Sequence, residues 1–166
     1  MTAAHTPIFW RDTRMQHIEL RKIDDGRKVC YDLHSHTHWP LGAITQGTST
    51  FIYRDDSYHV TEGSLVLMNP DWPHACNPIE NQPWAYLMLY VDTAWLTQLR
   101  YDEGLLSQLH WQDIINAVIT DKHLYQGYCT MAATLLDDKC ELLDKQTQVV
   151  EYLPPLVHKT QYFYLK

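Results

Sequence analysis

Between residues 17 and 92 the apolar positions recur at every second residue or in short unbroken runs, and beyond 92 they recur at every third or fourth. The first pattern belongs to strands, whose side chains point to opposite faces in turn, and the second to helices. HIELRKI (17–23) alternates and runs into the turn signal DDG (24–26). KVCYDLHSH (28–36) alternates again, with Val29, Tyr31 and Leu33 on one face. Cys30, Asp32, His34, His36 and, if the strand runs straight that far, His38 share the other. GAITQG (42–47) and STFIYR (49–54) read as two short strands around a turn at Gly47. RDDS (54–57) is a further turn, and YHV (58–60) leads to another at EG (62–63). LVLM (65–68) is apolar throughout, which fits a buried strand. NPDWPHACNP (69–78) carries three prolines and is expected to be irregular, at a strand end. WAYLMLYVD (84–92) is the last strong strand.

The period then changes. In DTAWLTQLR (92–100), Asp92 or Thr93 is placed to cap a helix with apolar residues at 95, 96 and 99. YDEGLLSQLHW (101–111) reads as another short helix, and DIINAVIT (113–120) as strand-like or buried. From Asp121 onward Leu124, Tyr128, Met131, Leu135 and Leu142 follow steps of 4, 3, 4 and 7, the narrow seam of a packed helix. The same stripe suits contact between two copies of the chain, so these five residues are the candidate dimer contacts. A further helix, roughly 145–153, is expected to stop at Pro154–Pro155, which lack the N–H that continues a helix. The expected layout is an arm or short leading strand (1–16), a β barrel (17–92) and a helical region (93–166), mainly β with α at the C-terminal end.

Composition narrows the function classes. The 166 residues suffice for one domain with a real core. Thirteen basic against twenty acidic side chains give a net charge of −7, a poor match to nucleic acid. The 11 Tyr and 6 Trp suit both a β-rich core and a pocket. The cysteines at 30, 76, 129 and 140 form no CxxC pair, MTAAHTPIFWRDTRM lacks the apolar stretch of a signal peptide, and no run approaches the roughly 20 apolar residues of a membrane span. A cytoplasmic protein with free thiols is expected.

The candidate chemistry lies in HSHTHW (34–39) and PDWPHAC (70–76). Histidines two apart on a strand stand about 6.6–6.8 Å from one another on one face, and two such imidazoles can converge on a metal at about 2.0–2.1 Å. His34, His36, His38 and His74 are the candidate ligands, with Cys76 as a further one. Histidines on a polar barrel face equally serve as hydrogen-bonding pocket residues.

HSHTHWPLGAITQG (34–47), together with GSLVLMNPDWPH (63–74), resembles the two motifs of the cupin barrel. Gly63 and His74 keep the family's spacing of eleven, with Pro70 between them. The acid expected after the HxH pair is missing: Pro40, or Gly42 or Ala43, stands there. The ordered set HSHTHW, Gly47, GSLVLMNPDWPHACNP and WAYLMLYVDTAWL is similar to the N-terminal sensor domain of AraC-type transcriptional regulators, over roughly residues 28–100. That resemblance implies a jelly-roll barrel, followed by two or three helices, that binds a small effector such as a sugar or other polar metabolite. It implies a homodimer held through C-terminal helices, no cofactor and no membrane. DNA would be met only through a helix-turn-helix module that this chain ends before. The implied ligand-binding residues are His34, His36, Trp39 and His74, with Tyr31, Tyr53, Trp84 and Tyr86, and with Trp10 and Arg11 from an arm closing over the barrel. A metal-dependent cupin enzyme, a dioxygenase or isomerase using the His cluster, is the alternative, and a plain interaction module with a filled barrel is the other.

Overall fold

The computed structural model describes residues 8–28 and 38–162. The elements follow in the order β1 (Ile8–Trp10), β2 (Ile18–Ile23), β3 (Trp39–Tyr53), β4 (Asp56–Thr61), β5 (Leu65–Leu67), β6 (His74–Pro78), β7 (Trp84–Val91), α1 (Thr93–Asp102), β8 (Val118–Ile119), α2 (Lys122–Leu136) and α3 (Leu142–Tyr162). A larger antiparallel sheet runs β1-β2-β7-β3-β5-β8. A smaller one is formed by β4 and β6 on either side of the second half of β3. The architecture is a cupin-like double-stranded β-helix with helices after it.

One strand joins the two sheets. Residues Trp39–Gly47 of β3 pair with β7, and residues Thr48–Tyr53 pair with β4. The expected turn at Gly47 is instead a bend inside a single 15-residue strand. The register against β7 slips between Ile44 and Gln46, and Gly47 takes φ 70°, a conformation glycine adopts without steric cost.

Three further expectations are corrected. The second half of NPDWPHACNP is a strand, β6; Pro70 and Pro73 precede it and Pro78 is its last residue, so no ladder bond is lost within it. Residues 101–111 hold no second helix, because Gly104 at φ 75° ends α1 and Leu105 and Leu106 turn inward. Finally, α3 runs through Pro154 and Pro155. Val149, Leu153, Leu156, Val157 and Thr160 form a buried stripe on both sides of the prolines, and that packing overrides the missing backbone bonds.

WAYLMLYV is apolar throughout because β7 is covered on both faces. Leu87, Leu89 and Val91 pack under the helices with Ile18, Leu20, Trp39, Leu41, Leu65 and Leu67. Tyr86 points the other way, into a cluster with Ile23, Ile44, Val66 and Met68. The helices thus cover the outer face of the larger sheet, and the barrel interior lies on its inner face. The α2 seam is part of the outer core: Tyr128, Met131 and Leu135 are fully buried within the chain, and Leu124 and Leu142 pack beside them. Of the stripe expected to meet a second copy, Tyr128, Met131 and Leu135 are spent on the chain's own core, and Leu124 and Leu142 alone keep exposed surface. Tyr128 donates its hydroxyl to the carbonyl of Leu41 at 2.7 Å.

The irregular segment between α1 and β8 is pinned by polar side chains. Asn69 bonds the backbone of Ile114 twice, its Nδ2 donating to the carbonyl at 2.8 Å and its Oδ1 accepting from the N–H at 2.7 Å. The buried guanidinium of Arg100 lies over the Trp111 ring and donates to the Gln112 carbonyl. The leading strand is paired to β2, and the buried Lys145 holds its last residue: Nζ donates to the Leu135 carbonyl at 2.8 Å and sits 5.2 Å from the Trp10 ring centre.

Candidate functional site

The inner face of the larger sheet carries a cavity. Its floor comes from alternate positions of three strands: Pro40, Gly42 and Ile44 of β3, Tyr86, Met88 and Tyr90 of β7, and Val66 of β5. These fall in register, since Pro40 pairs with Tyr90, Gly42 with Met88 and Val66, and Ile44 with Tyr86. Met68, His74, Cys76 and Trp84 complete the lining. The cavity is small, about 40 Å³, room for a few waters or a small group and well below the span of drug-sized sites.

Gly42 makes the room. A Cβ there would lie 2.8 Å from Val66 Cγ2 and 2.9 Å from Met88 Cε, so any side chain at this position intrudes on the space. Gly26 has a similar role behind the wall, because the indole of Trp84 lies flat where its Cβ would be. That fixes the Trp84 ring, which stacks on Tyr86 with centroids 4.6 Å apart. The buried Nε1 of Trp84 has no hydrogen-bond partner among the described residues.

Polar groups in the lining are few. Nδ1 of His74 lies 3.0 Å from the carbonyl of Trp72, which requires Nδ1 to carry the proton and leaves Nε2 as the acceptor. Burial pushes the Cys76 thiol up to about 12, so it stays a thiol and behaves as a small apolar group.

The residues expected at the site divide three ways. His74, Trp84 and Tyr86 come together in the cavity. Tyr31, His34 and His36 lie outside the described residues. The others are placed elsewhere. Trp39 is fully buried under the helices, because it shares strand parity with Leu41 and Ala43 and not with Pro40 and Gly42. Tyr53 stacks on Phe51 and Trp72, and its hydroxyl accepts from the backbone N–H of Asn69 at 2.8 Å. Trp10 pairs with Leu20 and packs on the helical side, and Arg11 is exposed, so neither covers the cavity. His38 is exposed and lines a different hollow from His74. No three His, Cys, Asp or Glu side chains among the described residues are grouped as metal ligands would be. The residues not singled out from sequence are Pro40, Gly42, Ile44, Val66, Met68, Met88 and Tyr90 as lining, and Cys76 as lining rather than ligand; alternate positions along β3 and β7 supply most of them.

Known proteins were compared with this chain. Residues 20–118 match the family model described as AraC-like ligand binding domain, more than half of the chain. A variant of ToxT from Vibrio cholerae, in its apo form, superposes with a TM-score of 0.59 at 11% identity, over 91% of this chain and 59% of that one; at that identity the likeness is one of fold. A cupin protein of Bacteroides fragilis gives a TM-score of 0.45 at 16% identity, over 55% of this chain and 81% of that one. Thrombospondin type-1 domain-containing protein 7A of Homo sapiens is 29% identical over 82 residues, 48% of this chain and 5% of that protein. The chain thus spans only a small part of this curated relative. No helix among the described residues is long and apolar enough to cross a membrane.

Proposed function

We propose that this chain, which belongs to the family of AraC-like ligand-binding domains, takes a small molecule into the cavity on the inner face of its larger sheet and acts as the sensing part of a transcriptional regulator. The cavity floor carries the reading: Pro40, Gly42, Ile44, Val66 and Met88 stand in register around a space of about 40 Å³, and Val66 and Met88 pack so closely over Gly42 that a side chain there would push them into it. Apolar side chains and the Trp84–Tyr86 stack predominate there, which favours a small apolar group over a bare sugar.

Binding, not turnover, is the role these residues suit. Nδ1 of His74 is committed to a backbone carbonyl and the Cys76 thiol remains protonated, so the cavity presents no thiolate nucleophile. The net charge of −7 makes this domain itself a poor partner for DNA, which assigns that contact to other polypeptide. Occupancy reaches the helices through the shared sheet, whose other face they cover; the effector must bind the two states with different affinity for any shift to follow.

The test compares wild type with Gly42→Ala in a thermal-shift screen of small apolar compounds. A compound that fills the cavity raises the melting temperature of the wild type by the usual linkage and loses most of that effect in the variant, whose methyl and displaced Met88 occupy the space. Stabilisation that survives Gly42→Ala unchanged would place the ligand elsewhere.

A further inference from the structure

The helices leave a gap at one end of the outer face of the larger sheet. Lys22 follows Ile18 and Leu20 along β2, and Leu87 and Ala85 follow Val91 and Leu89 back along β7, so all three share the helical side. Register sets them side by side: Lys22 pairs with Leu87, Leu87 with Ala43, and Ala85 with Gln46. From α2 this end of the face meets the small side chains of Cys129, Ala132 and Ala133 and, at the helix end, Leu136. With Ala85 below and two alanines above, the side chains do not fill the space between the layers. An open groove of about 570 Å³ results, against about 40 Å³ for the inner-face cavity, and that size suits a small-molecule ligand.

The groove is apolar along its floor and helical wall and charged at one rim. Burial pushes the Cys129 thiol up, so it stays protonated and counts as apolar lining. The rim carries Lys22 and Asp24, both exposed and two residues apart where β2 ends. Their neighbours are matched, Arg21 with Glu19 and Arg27 with Asp25. Among the described residues, the side chains of Lys22 and Asp24 are in no ion pair and no hydrogen bond. A lone carboxylate drawn to Lys22 is repelled by Asp24, and a lone ammonium drawn to Asp24 is repelled by Lys22. A molecule that bears both charges on one carbon answers both.

We propose that this groove binds a free α-amino acid with an apolar side chain, its carboxylate on Lys22, its ammonium on Asp24 and its side chain along Ala85 and Leu87 beneath Ala133 and Leu136. The site lies across the sheet from the inner-face cavity and does not depend on it. A molecule seated there touches β2, β7 and α2 together, so its binding favours the helical layer docked on the sheet. Each ionic contact is exposed and contributes little alone. Affinity comes from the two contacts acting with the apolar body.

Ligand-observed NMR titrations of the full chain near neutral pH compare L-leucine with three probes that each lack one part. 4-Methylpentanoate has no ammonium, 3-methylbutylamine no carboxylate, and glycine no apolar body. L-leucine is expected to bind at least about fivefold more tightly than each of them, the scale of one exposed ion pair. Lys22→Gln should remove its advantage over 3-methylbutylamine, and Asp24→Asn its advantage over 4-methylpentanoate; both changes fall at exposed positions and spare the fold. Ala133→Trp lays an indole across the groove from an exposed helix position and should abolish binding, with an unchanged melting temperature showing that the protein is intact. Gly42→Ala, across the sheet, should leave leucine binding as it is. No binding of L-leucine up to about 10 mM overturns the inference, and so does binding of either singly charged probe as tight as that of leucine. Leucine binding that survives Ala133→Trp, or that is lost in Gly42→Ala, puts the molecule elsewhere and also overturns it.

Discussion

The hydroxyl of Tyr125 on α2 donates to the backbone carbonyl of Ile44 at 2.8 Å, at the point where β3 slips its register. Ile44 lines the cavity with its side chain, so this bond ties the helical layer to the cavity floor. Tyr128, one turn on, makes the matching bond to Leu41. Replacing either phenol by Phe removes its hydroxyl bond to the strand, buried at Tyr128 and part-buried at Tyr125, and no packing. Each variant should lose about 1 kcal/mol, read from urea unfolding as a lower midpoint with the slope unchanged. A loss below a few tenths for Tyr128→Phe would show that the Leu41 carbonyl is satisfied without it.

Asn69 should be far more costly. Its side chain serves both backbone groups of Ile114 in a buried setting, and Asn69→Ala leaves an N–H and a carbonyl without partners. A loss of about 3 kcal/mol is expected. The segment it anchors should also become accessible, so chymotrypsin should nick the variant near Leu109 and Trp111 under conditions that leave the wild type intact. Equal resistance of the two proteins would show that Arg100 and the apolar contacts hold the segment alone.

Pro155 is exposed in the middle of α3, where its ring nitrogen cannot donate to the Glu151 carbonyl. Proline inside a helix costs about 3 kcal/mol, and stiffening of the unfolded chain returns up to about 1. Pro155→Ala should therefore stabilise the protein by roughly 2 kcal/mol, seen as a higher melting temperature. A fall instead would mean that the double proline sets a bend on which the packing of Leu153, Leu156 and Val157 depends.

His17 predicts a pH effect with a definite sign. Burial lowers its folded-state pKa, so below the ordinary 6.5 the unfolded chain takes up a proton that the folded chain refuses. Its contribution is whole above 6.5 and is lost as the pH falls through the folded-state value. His17→Phe retains a ring against Trp95, whose ring centre lies 4.4 Å from that of His17, and removes the titration. The variant should gain on the wild type in thermal stability between about pH 7.5 and about pH 5.5; a difference constant across that range would clear His17 of the effect.

How far the sequence foretold this molecule depends on the feature. The strand β2 was plain in the alternation and β5 and β7 in their apolar runs, and Asp92 does cap α1, accepting from the N–H of Trp95; Asp121 caps α2 in the same way, accepting from the N–H of Leu124. His74, Trp84 and Tyr86 line the cavity. Trp39 does not, because a one-residue step along a strand changes the face; grouping it with the histidines of HSHTHW overlooked its parity with Leu41. The stripe from Leu124 to Leu142 was legible as a buried seam, but periodicity is blind to what does the burying, and here it is α3 together with the sheet. Gly47 looked like a turn because φ above zero is needed there, yet a bulge makes the same demand. The outer groove was illegible: it depends on how α2 lies along the sheet, and only packing decides that.

The sharing of β3 between two sheets has a consequence for how the chain folds. Neither sheet contains its own complete set of strands without those fifteen residues, and closing the larger one requires Trp39 to find Val91. Such distant pairings make folding slow and late-committing. They also make it indivisible: a cut at Gly47 would part the first half of β3 from β5 and β7 and strip the smaller sheet of the wall it shares a core with, so the barrel should melt in one step, and no half of it should survive as a stable fragment.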